Sequence, residues 1–390
     1  MITGTSNGKS IRLYLYKDKQ FLRRIPPDYW LKKDFNKWYY LCFIWLYFTG
    51  VQAQDRQGTP VKDSIPEHIR YFEAANKEID SLRYDAAIKL FKKAIKKKKD
   101  YWEAYQRSAF AKYKKADYKG AIEDLEHAEK LTNWMFDIYK LKGMVYYANK
   151  DFKNAKKFLD TAVTISVDDN IEDAEVYYYQ ALLMYAGKSY KQALTSCEHA
   201  LEYDAKYVEP MLLKGEVRFA MKDYNYAIKE LNLAIVAMSN KIDYKAYYYR
   251  AKSKFEIGDY KGAIADWNVY IDNTKKTEEV LISRAAAKIN AGDNSGAIVD
   301  LDEAIVMNPK NPVSYCYRGV AKGGNKMLDA AIKDLDYSIK LKFDYSTAYV
   351  NRAAIKMAKK DKKGACEDLE KADGLGNELA IRLIEQYCKH

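Results

Sequence analysis

The chain has 390 residues, 48% of them hydrophobic and 31% charged, and sets 36 Tyr against only 7 Pro and 18 Gly. So few breakers among so many helix formers point to an all-α chain, with apolar residues enough for a large core. The net charge of +12 is split between nine Lys/Arg and three Asp/Glu in residues 1–37 and a mixture of 57 basic and 51 acidic groups in residues 54–390, which is not the one-sided footprint of a nucleic-acid binder.

In chain order, residues 1–53 read as a basic region followed by a signal peptide. The run WYYLCFIWLYFTGVQAQ, Trp38 to Gln54, is uncharged and follows Lys32, Lys33 and Lys37. Its hydrophobic heart, Trp38 to Phe48, spans 11 residues, short of the roughly 20 that a membrane-crossing helix needs. Val51-Gln52-Ala53 is a small-x-small site, so cleavage is expected after Ala53. The alternative is an uncleaved anchor that tethers the chain to a membrane. Cys42 follows Tyr39, Tyr40 and Leu41 where a lipid-attachment motif has small residues, which argues against a lipid anchor. Residues 54–67 are polar, carry two Pro and read as a linker.

From residue 68 to 376 the sequence repeats. Aligning on the Ala of GAIADW gives Ala87, Ala121, Ala155, Ala193, Ala227, Ala263, Ala297, Ala331 and Ala365, with steps of 34, 34, 38, 34, 36, 34, 34 and 34 residues. With this Ala as position 20 of each copy, position 8 is always Ala or Gly, and aromatic residues recur at positions 12 and 17. Position 24 is apolar and position 27 is usually Ala. Each copy reads as two amphipathic helices whose small residues permit close approach. Between them Gly258-Asp259-Tyr260 offers a left-handed helix stop, an N-cap acceptor and an aromatic lid. The four- and two-residue insertions at the third and fifth junctions are expected to loosen the local turns.

This pattern resembles the tetratricopeptide repeat (TPR), with Tyr usually standing in for Trp at position 4 and only Pro309 at the closing Pro position. The resemblance implies a right-handed superhelical solenoid of about nine helix hairpins, in which neighbours bury one another's apolar faces. Residues 377–390 then form a C-terminal capping helix, with Leu379, Ile381, Leu383 and Ile384 covering the last open face. The tail is similar to that of exported bacterial TPR proteins, which places Cys366 and Cys388 close together, either as a disulfide in an oxidising compartment or as two free thiols.

Charges recur in step with the repeat. Position 11 is basic at Lys112, Arg218, Lys254, Lys288, Lys322 and Lys356, and position 23 of the same copies is Asp124, Glu230, Asp266, Asp300, Asp334 and Asp368. The other three copies lack both. Presence and absence together predict contact, with the bases of position 7 joining a base–acid–base ladder that fixes register between helices.

No site for chemistry emerges: the four His are scattered, and no metal-ligand spacing, phosphate loop or nucleophile elbow occurs. The expectation is therefore a protein that is not an enzyme, with no catalytic residues, no metal and no cofactor. Cys197 reads as a buried thiol, and Cys316 as a groove-facing one.

In the TPR family the first helices line a concave groove. The resemblance thus places Tyr113, Tyr147, Tyr185, Phe219 and Phe255 (position 12), Tyr178 and Tyr248 (position 5) and Tyr179 and Tyr249 (position 6) on a partner-binding surface. Position 12 has the rival reading of packing one first helix on the next. The expected function is a scaffold in the periplasm or cell envelope of a bacterium that binds a peptide or helix of a protein partner. A glycan- or small-ligand-binding module using the same Tyr surface is the alternative. No nucleic acid is expected as partner, and a membrane only through the N-terminal segment.

Overall fold

The structure, a computed structural model, describes residues 2–6, 9–13, 65–238 and 242–388, in two units that divide between Pro66 and Glu67. The first unit contains an antiparallel hairpin, β1 (Ile2–Ser6) and β2 (Lys9–Leu13), with Ser6 opposite Lys9 and Ile2 opposite Leu13. The hairpin precedes in sequence the repeat region, whose described elements are all helices, as the all-α reading expects. Asn7-Gly8, between the strands in sequence, is a strong two-residue hairpin signal that composition and charge do not register. The expected signal peptide at Trp38–Ala53 and most of the linker lie outside the described residues. No helix among the described residues is long and apolar enough to cross a membrane.

The second unit is a solenoid of nine helix hairpins and a closing helix. The first four hairpins are α1 (Glu67–Asp80) with α2 (Tyr84–Lys97), α3 (Trp102–Lys114) with α4 (Tyr118–Glu129), α5 (Phe136–Ala148) with α6 (Phe152–Asp168), and α7 (Ala174–Ala186) with α8 (Tyr190–Tyr203). Then come α9 (Val208–Ala220) with α10 (Tyr224–Ala237), α11 (Lys245–Glu256) with α12 (Tyr260–Asn273), and α13 (Glu278–Asn290) with α14 (Asn294–Met307). The last are α15 (Pro312–Gly324) with α16 (Leu328–Leu341) and α17 (Ser346–Ala358) with α18 (Lys362–Gly374), closed by α19 (Glu378–Tyr387). Each helix packs on its sequence neighbours, as stacked repeats must when no hairpin buries its apolar face alone.

Small residues set the helix spacing. All nine Ala at position 20 are wholly buried, as are the Ala at position 8 apart from 1% exposure at Ala353. Where position 8 is Gly, the large residue at position 24 nests closer still. A Cβ on Gly143, Gly215 or Gly319 would lie 2.5, 2.4 or 2.8 Å from the Cγ of Leu159, Leu231 or Leu335.

The turn inside every hairpin uses one conformation. Position 15 is left-handed in all nine copies, at Leu82, Ala116, Lys150, Lys188, Lys222, Gly258, Gly292, Lys326 and Lys360, although Gly fills only two. The next residue is often an Asp that accepts from the backbone N–H three residues on, as Asp259 does from Gly262 at 2.9 Å. Both features satisfy helix-end groups, so the helix-turn-helix geometry overrides the residue preference.

The third-junction insertion does not loosen a turn. It lengthens α6 to 17 residues, against 12 to 14 in the other second helices, because four residues add about one helical turn and keep the buried face in phase. The fifth-junction insertion lies partly outside the described residues.

The charge ladder is real and has a rung absent from the sequence reading. Lys112, Lys254, Lys288, Lys322 and Lys356 lie 2.7–2.9 Å from Asp124, Asp266, Asp300, Asp334 and Asp368. Arg250, Arg284, Arg318 and Arg352 fork onto the same last four carboxylates. Each of these Arg also donates from Nη1 to position 25 of the preceding repeat, at Asn232, Asn268, Asp302 or Asp336. The ladder therefore ties second helix to first helix to the previous second helix. Repeat 4 keeps the geometry with neutral residues at positions 7 and 23: Gln180 donates to Asp160 and accepts from Ser196. Repeat 3 replaces it with Tyr146 stacked on Phe158 and Lys142 over the same ring. Arg218 departs from the expected pairing with Glu230. It pairs with Asp223 at 3.0 Å, while Lys214 takes Glu230 at 3.2 Å.

At the C-terminal end Ala380, Leu383 and Ile384 pack on Val350, Ala353 and Leu369, but Leu379 and Ile381 stay 45% exposed, so only part of the expected apolar set covers the last repeat. Cys366 and Cys388 form a disulfide with Cα atoms 5.8 Å apart, tying α19 to α18. Cys197 is buried, which pushes its thiol up to about 12. Cys316 is buried too, accepting from Asn351 rather than facing a groove.

Candidate functional site

First helices of successive repeats meet one another at nearly every junction, while second helices pack on first helices, so the first helices form the tighter inner layer. On that layer the nine aromatic residues singled out from sequence are all partly buried. They do two jobs. The position-12 rings close their own hairpins against position 17: Tyr113 on Tyr118, Tyr147 on Phe152, Tyr185 on Tyr190, Phe219 on Tyr224 and Phe255 on Tyr260, with centroids 5.5–6.4 Å apart. Tyr147 and Phe219 also pack on the first helix of the next repeat, as the rival reading of position 12 expects.

Positions 5 and 6 link repeats. Tyr179 meets Tyr147 of the preceding repeat edge-on, and its hydroxyl lies 3.2 Å from that of Tyr113, two repeats back. Tyr249 likewise packs on Phe219 of the preceding repeat and interacts electrostatically with Tyr185, two repeats back. Tyr178 meets Tyr207 edge-on, and Tyr248 meets Trp267 edge-on and Tyr270 at a tilt while donating to Glu279 at 2.8 Å. Burial pushes the hydroxyls of Tyr178, Tyr179, Tyr248 and Tyr249 well above the usual phenol value, so they remain protonated hydrogen-bond donors at neutral pH.

Among these rings sits a carboxylate that the sequence reading passed over. Glu216, at position 9 of repeat 5, has a side chain only 5% exposed. It pairs with Lys245 at 2.6 Å, and its charge reaches Tyr147, Tyr178, Tyr185 and Tyr249. Burial raises its carboxyl above the ordinary value despite the Lys245 ammonium. An acidic residue at the position where the three preceding repeats carry Phe110, Met144 and Leu182 was the available signal.

Among the described residues no group of three or more His, Cys, Asp or Glu is placed to hold a metal ion. No family model matches the chain. A curated TPR repeat-containing protein of Methanocaldococcus jannaschii is 27% identical over 176 residues, 44% of this chain. The structure adds nine helix hairpins whose buried small residues recur at TPR positions. The fold is that of a TPR solenoid.

The match spans 30% of the length of that archaeal relative. Solved TPR-type structures are similar at lower identity. A TPR protein of Parabacteroides merdae is 18% identical, with 65% of this chain and 98% of that one covered and a TM-score of 0.46. The pilF structure of Pseudomonas aeruginosa is 15% identical, with 55% and 94% covered and a TM-score of 0.48.

Proposed function

We propose that this TPR chain is a non-enzymatic, exported scaffold of a bacterial cell envelope that holds a peptide or helix of a protein partner against the aromatic layer of repeats 2–6. The observation that carries the reading is that layer itself: nine rings on consecutive first helices, each still partly exposed, with protonated hydroxyls beside them. Aromatic side chains supply large contact area for little lost rotamer freedom, and their hydroxyls give direction. Export is supported by the signal-like run before Ala53 and by the Cys366–Cys388 disulfide, which suits an oxidising compartment.

Site-specific photocrosslinking tests this. A crosslinker at Tyr178, on the inner layer, is expected to capture a protein, while one at Lys333, on the second helix α16, captures little. Equal yields from the two positions, or capture of glycan alone at Tyr178, would overturn the reading.

A further inference from the structure

Glu216 belongs to no rung of the ladder, whose positions are 7, 11, 23 and 25. A carboxylate so deeply placed is costly unless a cation and hydrogen bonds compensate it. The cation is present: the Lys245 ammonium lies 2.6 Å from Oε1 and 5.7 Å from the centre of the Tyr249 ring. An ammonium between a carboxylate and aromatic faces is the chemistry by which proteins recognise alkylammonium groups. Lys245 is loosely invested in this contact. It is the first residue of α11 and its side chain is 51% exposed, against 5% for Glu216, so it covers the carboxylate from the solvent side.

We propose that Glu216, with Tyr249 and the neighbouring rings of Tyr178 and Tyr185, is a receptor for a primary alkylammonium group, a lysine side chain of the partner, and that Lys245 occupies it in the free protein. This rests on the reading of the aromatic layer as a partner surface and gives that surface a chemical preference. The incoming lysine replaces Lys245 charge for charge, so the carboxylate is never left unpaired, and Lys245 moves into water. A partner with a neutral or acidic residue at that point cannot displace Lys245 without stranding Glu216.

The probe is n-butylammonium, which reproduces a lysine side chain from Cβ outward, titrated into the full chain and followed by calorimetry and by the Tyr249 ring resonances. Lys245→Ala opens the site and is expected to bind the probe at least tenfold more tightly than the unaltered chain. Adding Glu216→Gln to Lys245→Ala is expected to remove that gain. Lys245→Met, which keeps the apolar stem, is expected to gain less than Lys245→Ala. In the unaltered chain, high concentrations of the probe compete with Lys245 and shift the Tyr249 resonances, a readout that needs no variant. The proposal is overturned by no gain in Lys245→Ala, by a gain that survives Glu216→Gln, or by unmoved Tyr249 resonances at saturating probe. None of these measurements needs a partner. Probe binding without crosslinks at Tyr178 would sink the scaffold reading alone, and crosslinks without probe binding would sink only the ammonium site.

Discussion

Arg318 grips Asp334 with two parallel hydrogen bonds, Nε–H to Oδ2 at 2.8 Å and Nη2–H to Oδ1 at 2.7 Å. Its third nitrogen donates to Asp302 of the preceding repeat at 2.6 Å, and Lys322 closes on the same Asp334 at 2.7 Å. The Asp334 side chain is 9% exposed and that of Asp302 56%. The two acids therefore differ in what their loss leaves behind. Asp334→Ala strands two cations in a poorly solvated seam and is expected to cost about 3–5 kcal/mol. Asp302→Ala removes a wet contact, for about 0–1 kcal/mol. Denaturant melts of the two variants decide it, and equal losses would mean the ladder does not hold the repeats.

The left-handed turn residue offers a gain. Lys188 is exposed and sits at φ 59°, where a residue with a Cβ is disfavoured. Lys188→Gly is expected to stabilise the chain by about 1 kcal/mol, and Gly292→Lys, starting from φ 88°, to lose a similar amount. A destabilised Lys188→Gly, measured in the same melts, would contradict the argument.

The Cys366–Cys388 bond closes a separation of 22 residues around the end of the stack. Cys388→Ser is expected to cost about 3 kcal/mol, confined to α18 and α19 because repeats contact only their neighbours. Hydrogen exchange reads this locally. The amides of Leu383 and Ile384 are expected to exchange faster on reduction while those of α1 to α14 hold, and unchanged rates would show that packing alone retains the cap.

Glu216 gives a pH signature. Burial holds its carboxyl above the ordinary 4.5, outweighing the downward pull of Lys245 and Tyr249. The folded state then binds the proton more readily than the unfolded chain. Stability contributed through this group is thus fully present at low pH and declines as pH rises from about 4.5 through the raised value. Glu216→Gln removes that slope, so the unaltered chain is expected to lose Tm relative to the variant across this window. A difference that is flat or grows in the other direction would mean the Lys245 pairing dominates.

Much of the scaffold was legible because its rules are local. The small residues at positions 8 and 20 announce close helix approach, and Lys112, Lys254, Lys288, Lys322 and Lys356 match their acids copy by copy. The exceptions share a physical cause. Arg218 abandoned Glu230 because a long guanidinium reaches the turn Asp223 while Lys214 already holds Glu230, and pattern matching does not weigh reach or competition.

The candidate site was half legible. Its rings were readable by position, but their division into hairpin closers and inter-repeat links was not, since Tyr113 meets Tyr179 and Tyr185 meets Tyr249 across two repeats. Glu216 is one acid among 54 Asp and Glu, and its spacing matches no rung of the charge ladder. The sequence by itself determined the period, the hairpins and the paired charges, because each depends on residues within one copy or the next. Only the tertiary structure decided which aromatic residues meet, that a position-25 acceptor completes the ladder and that one glutamate is sealed in. Those outcomes depend on how tightly the stack curves, and curvature sums small rotations that no single repeat encodes.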